Sequence, residues 1–76
     1  PFNPGTEIRF EVADYGRVTL KVYDLLGRQI ATLVDEPRPA GEYTLDFDAT
    51  GLASGVYLYR MTAANYVDTK EMIVLK

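Results

Sequence analysis

The chain contains no cysteine and no histidine. Without cysteine there is no disulfide, no thiolate nucleophile and no thiol-bound zinc, so a domain this small must hold together by packing alone. Without histidine, the commonest general base and the commonest neutral metal ligand are both missing. Positive charge is sparse: eight Lys and Arg stand singly between Arg9 and Lys76 against eleven Asp and Glu, for a net charge of -3. No cationic stripe is available to follow phosphates, which argues against nucleic acid as a partner. No apolar run approaches the roughly 20 residues of a membrane-spanning helix, and the first residues lack the charged-then-apolar order of a secretory leader. Low-complexity tracts and internal repeats are absent.

What is present is the raw material of a folded domain. The composition is 47% hydrophobic and 25% charged, with six Tyr and three Phe. At 76 residues this is one domain, and a chain of that size buries only about 60% of the surface it exposes when unfolded.

Alternation dominates the pattern. In "TEIRFEV", Ile8, Phe10 and Val12 share one face while Glu7, Arg9 and Glu11 share the other, the signature of a half-buried strand. Asp14 and Gly16 mark a turn, and "RVTLKVYD" resumes with Val18, Leu20 and Val22 inward. The two runs read as a hairpin, with Tyr23 on the polar face. "DLLGRQIATLVD" has apolar residues at helical spacing behind Asp24, but Gly27 would cost a first helical turn about 1 kcal/mol relative to alanine. "LLG" is instead a tight turn into a strand, Gln29 to Val34, and the placement of Ile30 and Leu33 suggests a bulge. "DEPRPAGE" reads as a loop that no ladder crosses. "EYTLDFDA" buries Tyr43, Leu45 and Phe47, and the "TGLASG" turn frames Leu52 as an anchor at one end of the core. "VYLYRMTA" is apolar on both faces, as expected of a central strand. After an "ANY" turn, the last strand carries Asp68, Lys70 and Glu71 on its outer half and ends in "MIVL". Six or seven short strands joined by Gly, Pro, Asn and Asp turns predict an all-β fold, an antiparallel two-sheet sandwich.

Few residues suggest chemistry. "DFDATG" places Asp46, Asp48, Thr50 and Gly51 like the first half of a calcium loop, but Tyr57 stands where the bidentate glutamate belongs, and an ordinary polar strand face ending in a turn accounts for the carboxylates. Ser54, the one serine, has no adjacent base to activate it. Asp14, Asp24, Asp35 and Glu36 fall in or beside predicted loops with no spacing that pairs them as acid and base. The expectation is a non-enzyme with no cofactor, no metal and no small-molecule substrate. Tyr15, Tyr23 and Tyr66 are the residues a glycan-binding module would use.

"PFNPGT" opens the chain with two prolines and no initiating methionine. It can enter neither a helix nor a central strand, and residues 1–5 read as a junction to a preceding segment, with residues 6–76 as the domain. Together with "VYDLLGR", "ASGVYLYR" and the Lys-flanked "TKEMIVLK", it closely resembles the type A C-terminal sorting domain of proteins exported by the bacterial type IX secretion system. The matching positions are Pro1 to Pro4 with Thr6, then Val22, Tyr23, Asp24, Gly27 and Arg28, then Ser54, Gly55, Tyr57, Tyr59 and Arg60, then Lys70, Met72 and Lys76. The asparagine that usually precedes Pro1 in the family is not in this sequence.

The resemblance implies an immunoglobulin-like β-sandwich attached to an upstream cargo domain in the same chain. It implies recognition by the outer-membrane type IX machinery, removal by a sortase-like protease, periplasmic transit, and a destination at the cell surface or in the medium. Gly55, Tyr57, Lys70, Met72, Val74, Leu75 and Lys76 are the residues it nominates for recognition by that machinery. The last strand is the expected docking element, because an edge strand offers unpaired backbone groups. The alternative is a structural or adhesive immunoglobulin-like accessory module of a surface or flagellar protein or of a glycoside hydrolase, since a sandwich fold does not itself select a function.

Overall fold

The structure, a computed structural model, describes residues 5–64 and 66–75; the junction residues Pro1 to Pro4 and the nominated Lys76 therefore lie outside the described residues. Six strands form: β1 (Thr6–Val12), β2 (Gly16–Tyr23), β3 (Gln29–Arg38), β4 (Gly41–Phe47), β5 (Gly55–Ala63) and β6 (Tyr66–Val74). β1 and β4 make a two-stranded sheet, and a four-stranded sheet runs in the order β3-β2-β5-β6, with every pairing antiparallel. The all-β sandwich expected from the alternation is the fold that forms.

The inward residues are those the period of two selects. Ile8, Phe10 and Val12 of β1 meet Val18, Leu20 and Val22 of β2, and Val34, Phe47, Tyr57, Met61, Met72 and Val74 complete the cluster. Each such side chain contributes on the order of 2 kcal/mol by leaving water. No buried side-chain nitrogen or oxygen among the described residues lacks a partner.

Two sequence expectations need correction. β1 and β2 are not a hairpin: the bend at Ala13–Tyr15 carries the chain from one sheet to the other, and β1 pairs with β4 (Ile8↔Leu45, Phe10↔Tyr43). A hairpin would have set two apolar faces side by side in one sheet, both still needing a cover. Crossing over lets each cover the other. The stretch from Asp35 to Arg38 is not a loop either, because β3 continues through it with Pro37 opposite Arg17. Proline is tolerated there because β3 is an edge strand, where a missing N–H interrupts nothing on the open side.

The bulge in β3 is real and double. Pairing passes from Leu20↔Val34 to Lys21↔Thr32, and from Val22↔Ala31 to Tyr23↔Gln29, so Leu33 and Ile30 are the two extra residues. Each bulge restores the alternation that the local sequence breaks, returning Val34 and Ala31 to the side facing the core.

The small sheet covers the large one incompletely. β4 lies on the β3 side: the Tyr43 hydroxyl donates to the Pro39 carbonyl (2.5 Å), and the Arg38 guanidinium sits 4.9 Å from the Tyr43 ring centre. β1, more deeply buried, lies toward β5. At the far edge, only the C-terminal half of β6 is covered. There the turn after β4 closes the sandwich with fully buried Ala49, which the sequence pattern did not single out, and with half-buried Leu52, the expected anchor, whose N–H donates to the Ala49 carbonyl (3.0 Å). The N-terminal half of β6 is left open. Asp68 and Lys70 pair with Met61 and Tyr59 and so share the core-facing side of the sheet, while Glu71 points the other way.

Candidate functional site

Three local devices account for the motif residues. The first is the turn after β2. The Asp24 carboxylate accepts the N–H groups of Leu26 (3.0 Å) and Arg28 (2.9 Å) and the Arg28 guanidinium (2.7 Å), while the Gly27 N–H donates to the Asp24 carbonyl (3.0 Å). Gly27 has φ of 84°, which an L side chain adopts only under strain. The turn therefore requires Asp, Gly and Arg at these spacings for its own closure. It leaves Leu25 and Leu26 exposed at its tip.

The hydrogen bond from the Arg28 N–H is the largest influence on Asp24 and, with the Arg28 guanidinium and the Leu26 N–H, holds its carboxyl below the usual carboxylate value against the opposing effect of desolvation. A depressed folded-state pKa means that this stabilisation is present above the unfolded carboxyl pKa and disappears as pH falls through the folded value. Asp24→Asn is thus expected to melt at a lower temperature than the parent at pH 7. The difference should narrow as pH drops below 3.8, the ordinary aspartate value. Thermal melts of both proteins between neutral and strongly acidic pH check this; a gap constant with pH would contradict it.

The second device occurs twice. "AGEY" (40–43) and "SGVY" (54–57) each open a strand with a glycine at extended positive φ, 152° for Gly41 and 155° for Gly55. Two residues on, a tyrosine donates to the carbonyl four residues before it: Tyr43 to Pro39, and Tyr57 to Ala53 (2.8 Å). Gly55 and Tyr57 therefore seat the turn against the core. Tyr57 is itself buried.

The third device is the register of β6. Its pairing with β5 is regular from Gly55↔Val74 to Ala63↔Tyr66, and alternation does the rest. Met72 and Val74 face the core, while Ile73 and Leu75 on either side of Val74 are 65% and 64% exposed. Antiparallel pairing of β2 with β5 brings the turn carrying Leu25 and Leu26 to the same end of the sheet as Val56, Ile73 and Val74. The result is an apolar rim of Leu25, Leu26, Ile73 and Leu75, each about two-thirds exposed or more. Exposed apolar groups at one end of a sheet are a candidate interaction surface.

Of the nominated residues, Met72, Val74 and Tyr57 are core, Gly55 opens β5, Lys70 lies at the middle of β6 on its inner side, and Leu75 stands on the rim. Ile73, Leu25 and Leu26 were not nominated. "MIVL" reads as one apolar block until strand pairing assigns its alternate residues to opposite faces.

The other candidates resolve into structure. Asp48 accepts the Thr50 N–H (2.9 Å) and the Thr50 hydroxyl, the hydroxyl bond being the main cause of its lowered pKa, and Asp46 pairs across the sheet with Glu7. Among the described residues no cluster of three or more acidic side chains could hold a metal ion. Arg17 pairs with Asp35 (2.8 Å) and Arg38 with Glu36 (2.9 Å), so these carboxylates are tied to exposed ion pairs. Tyr23 lies beneath Arg60 (5.0 Å) on the outer face of the large sheet, whereas Tyr66 pairs with Ala63 on the inner side. The tyrosines do not form one glycan platform.

A family model described as "Secretion system C-terminal sorting domain" matches residues 1–75. Comparison with curated proteins and with solved structures returns no match. The accessory-module alternative finds no support in these comparisons.

Proposed function

The chain belongs to the secretion-system C-terminal sorting domain family, and from that premise we propose that it is the non-catalytic address of a larger exported protein, read at the rim formed by Leu25, Leu26, Ile73 and Leu75. The family carries sorting signals for type IX secretion and is in general non-catalytic. Under this reading residues 6–76 form the address and residues 1–5 join it to an upstream cargo domain. The cargo crosses the periplasm, meets the outer-membrane machinery and reaches the cell surface or medium, where a sortase-like protease removes the address.

The observation that carries the reading is the pair Ile73 and Leu75. These are large apolar side chains turned out of the fold beside the last strand, within the Lys-flanked motif that defines the resemblance. The outer edge of β6 adds unpaired backbone groups next to them, so a docking strand could gain hydrogen bonds and apolar contact together. Gly55, Tyr57, Met72 and Val74 shape this rim from within. Lys70 supplies charge on the same strand.

The test is a reporter bearing a periplasmic leader and this domain, expressed in a bacterium with a type IX system. The reading expects it outside the cell, and expects the same reporter lacking Val74–Lys76 to stay in the periplasm. Equal export of the two would overturn it.

A further inference from the structure

The open half of the sandwich is a second surface, on the opposite face and at the opposite end of β6 from the export rim. A groove of about 900 Å³ runs between β1 and the inner side of β5 and β6. Its apolar floor includes Phe10, Met61 and Ala63. Among the described residues β1 has one hydrogen-bonded neighbour, β4, so its other edge presents unpaired N–H and C=O groups over seven residues. That edge is straight and regular, since the β1–β4 register runs from Thr6↔Phe47 to Val12↔Gly41 without a shift. The far edge of the large sheet differs: β3 carries two bulges and Pro37, devices that discourage strand addition.

The groove is also acidic. Glu11, Asp14, Glu42 and Asp68 line it against Arg9 and Lys70, and both cations are already engaged, Arg9 with Glu7 (3.1 Å) and Lys70 with Asp68 (3.9 Å). Glu11 and Glu42 stand directly opposite one another across the ladder, a like-charge pairing that destabilises a sheet until a cation arrives. Neither has an ion-pair partner among the described residues.

We propose that this groove accepts an extended peptide segment alternating apolar and basic residues, which adds to the free edge of β1 as a third strand of the small sheet. The period of two matches the two walls. Residues of the added strand on the inward side lie over Phe10 and Met61, and those on the outward side meet Glu11, with a long basic side chain extending across β1 toward Glu42 on the next strand. Addition completes the cover that β1 and β4 leave unfinished over β6. This goes beyond the export reading, and loss of either surface leaves the other standing.

Titration of the isotope-labelled chain with a short synthetic peptide alternating lysine with valine, followed residue by residue by NMR, tests it. The expected result is saturable shifts at Arg9–Val12 and at Asp68–Lys70, with new protection from hydrogen exchange at alternate β1 amides. Glu11→Gln with Glu42→Gln should weaken binding by about fivefold, as two exposed charge pairs imply. A peptide of equal charge with proline in place of valine loses every second backbone donor and holds φ at about -65° at those positions, away from strand geometry, and should bind at least about tenfold more weakly. Equal binding of the proline peptide would reduce the contact to charge alone and overturn strand addition. So would shifts confined to Ile73 and Leu75, absence of binding, or saturable binding of an oligosaccharide to the groove in preference to the peptide.

Discussion

A fusion carrying Ile73→Asp and Leu75→Asp remains in the periplasm, while the isolated domain with the same substitutions melts within about 8 °C of the parent. Both side chains are largely in water in the folded domain, so neither substitution opens a cavity or buries a charge, and exposed positions of this kind ordinarily change stability by no more than about 0.5 kcal/mol each. For a domain of this size 1 kcal/mol corresponds to a shift of about 4–8 °C. At a docking surface the same change sets two carboxylates where apolar contact is required, and their desolvation costs several kcal/mol without compensation. Deleting Val74–Lys76 is a blunter instrument, because Val74 is a core residue paired with Gly55 and its loss loosens the fold as well as the rim. The double aspartate variant separates address from stability. Export at the parental level would remove the rim from the account.

Leu20→Ala produces the opposite pattern, losing the fold and leaving the rim residues unchanged. Leu20 is fully buried, on a strand flanked by β3 and β5, opposite Val34 on one side and Met61 on the other. Truncating such a side chain costs about 2–5 kcal/mol. A domain of 76 residues has a total stability of only about 4–11 kcal/mol, and no disulfide is present to limit the damage. The melting temperature should fall by about 10 °C or more, with the urea midpoint falling alongside. Retention of the parental melting point would mean that the core does not sit where β2 places it.

The sequence disclosed the strands better than their partners. Alternation located β1, β2 and β4 because each has one wet and one dry face, and it flagged Ile30 and Leu33, the two bulge residues, because they broke the period. It could not show that β1 pairs with β4 rather than β2. The pattern within a strand is the same whichever neighbour it has, and adjacency in the chain favoured the wrong one. Pro37 argued for a loop only because nothing in the sequence marks β3 as an edge. The candidate site followed the same division. The Asp, Gly and Arg of "DLLGR" and the Gly and Tyr of "SGVY" stand out in sequence because backbone geometry demands them, and the structure gives them structural work. Ile73 carries no such mark. Only register separates it from Met72 and Val74, and register is a property of two strands.

The central claim is that the address is the outward row of β6 at its C-terminal end. It is tested most directly by placing a photo-crosslinking residue at each position from Val67 to Leu75 in turn, within an export-competent fusion. The account predicts crosslinks to the outer-membrane machinery that alternate along the strand, strong at Ile73 and Leu75 and weak at Met72 and Val74. Crosslinks of equal strength at all four positions, or crosslinks absent from Ile73 and Leu75, would contradict it.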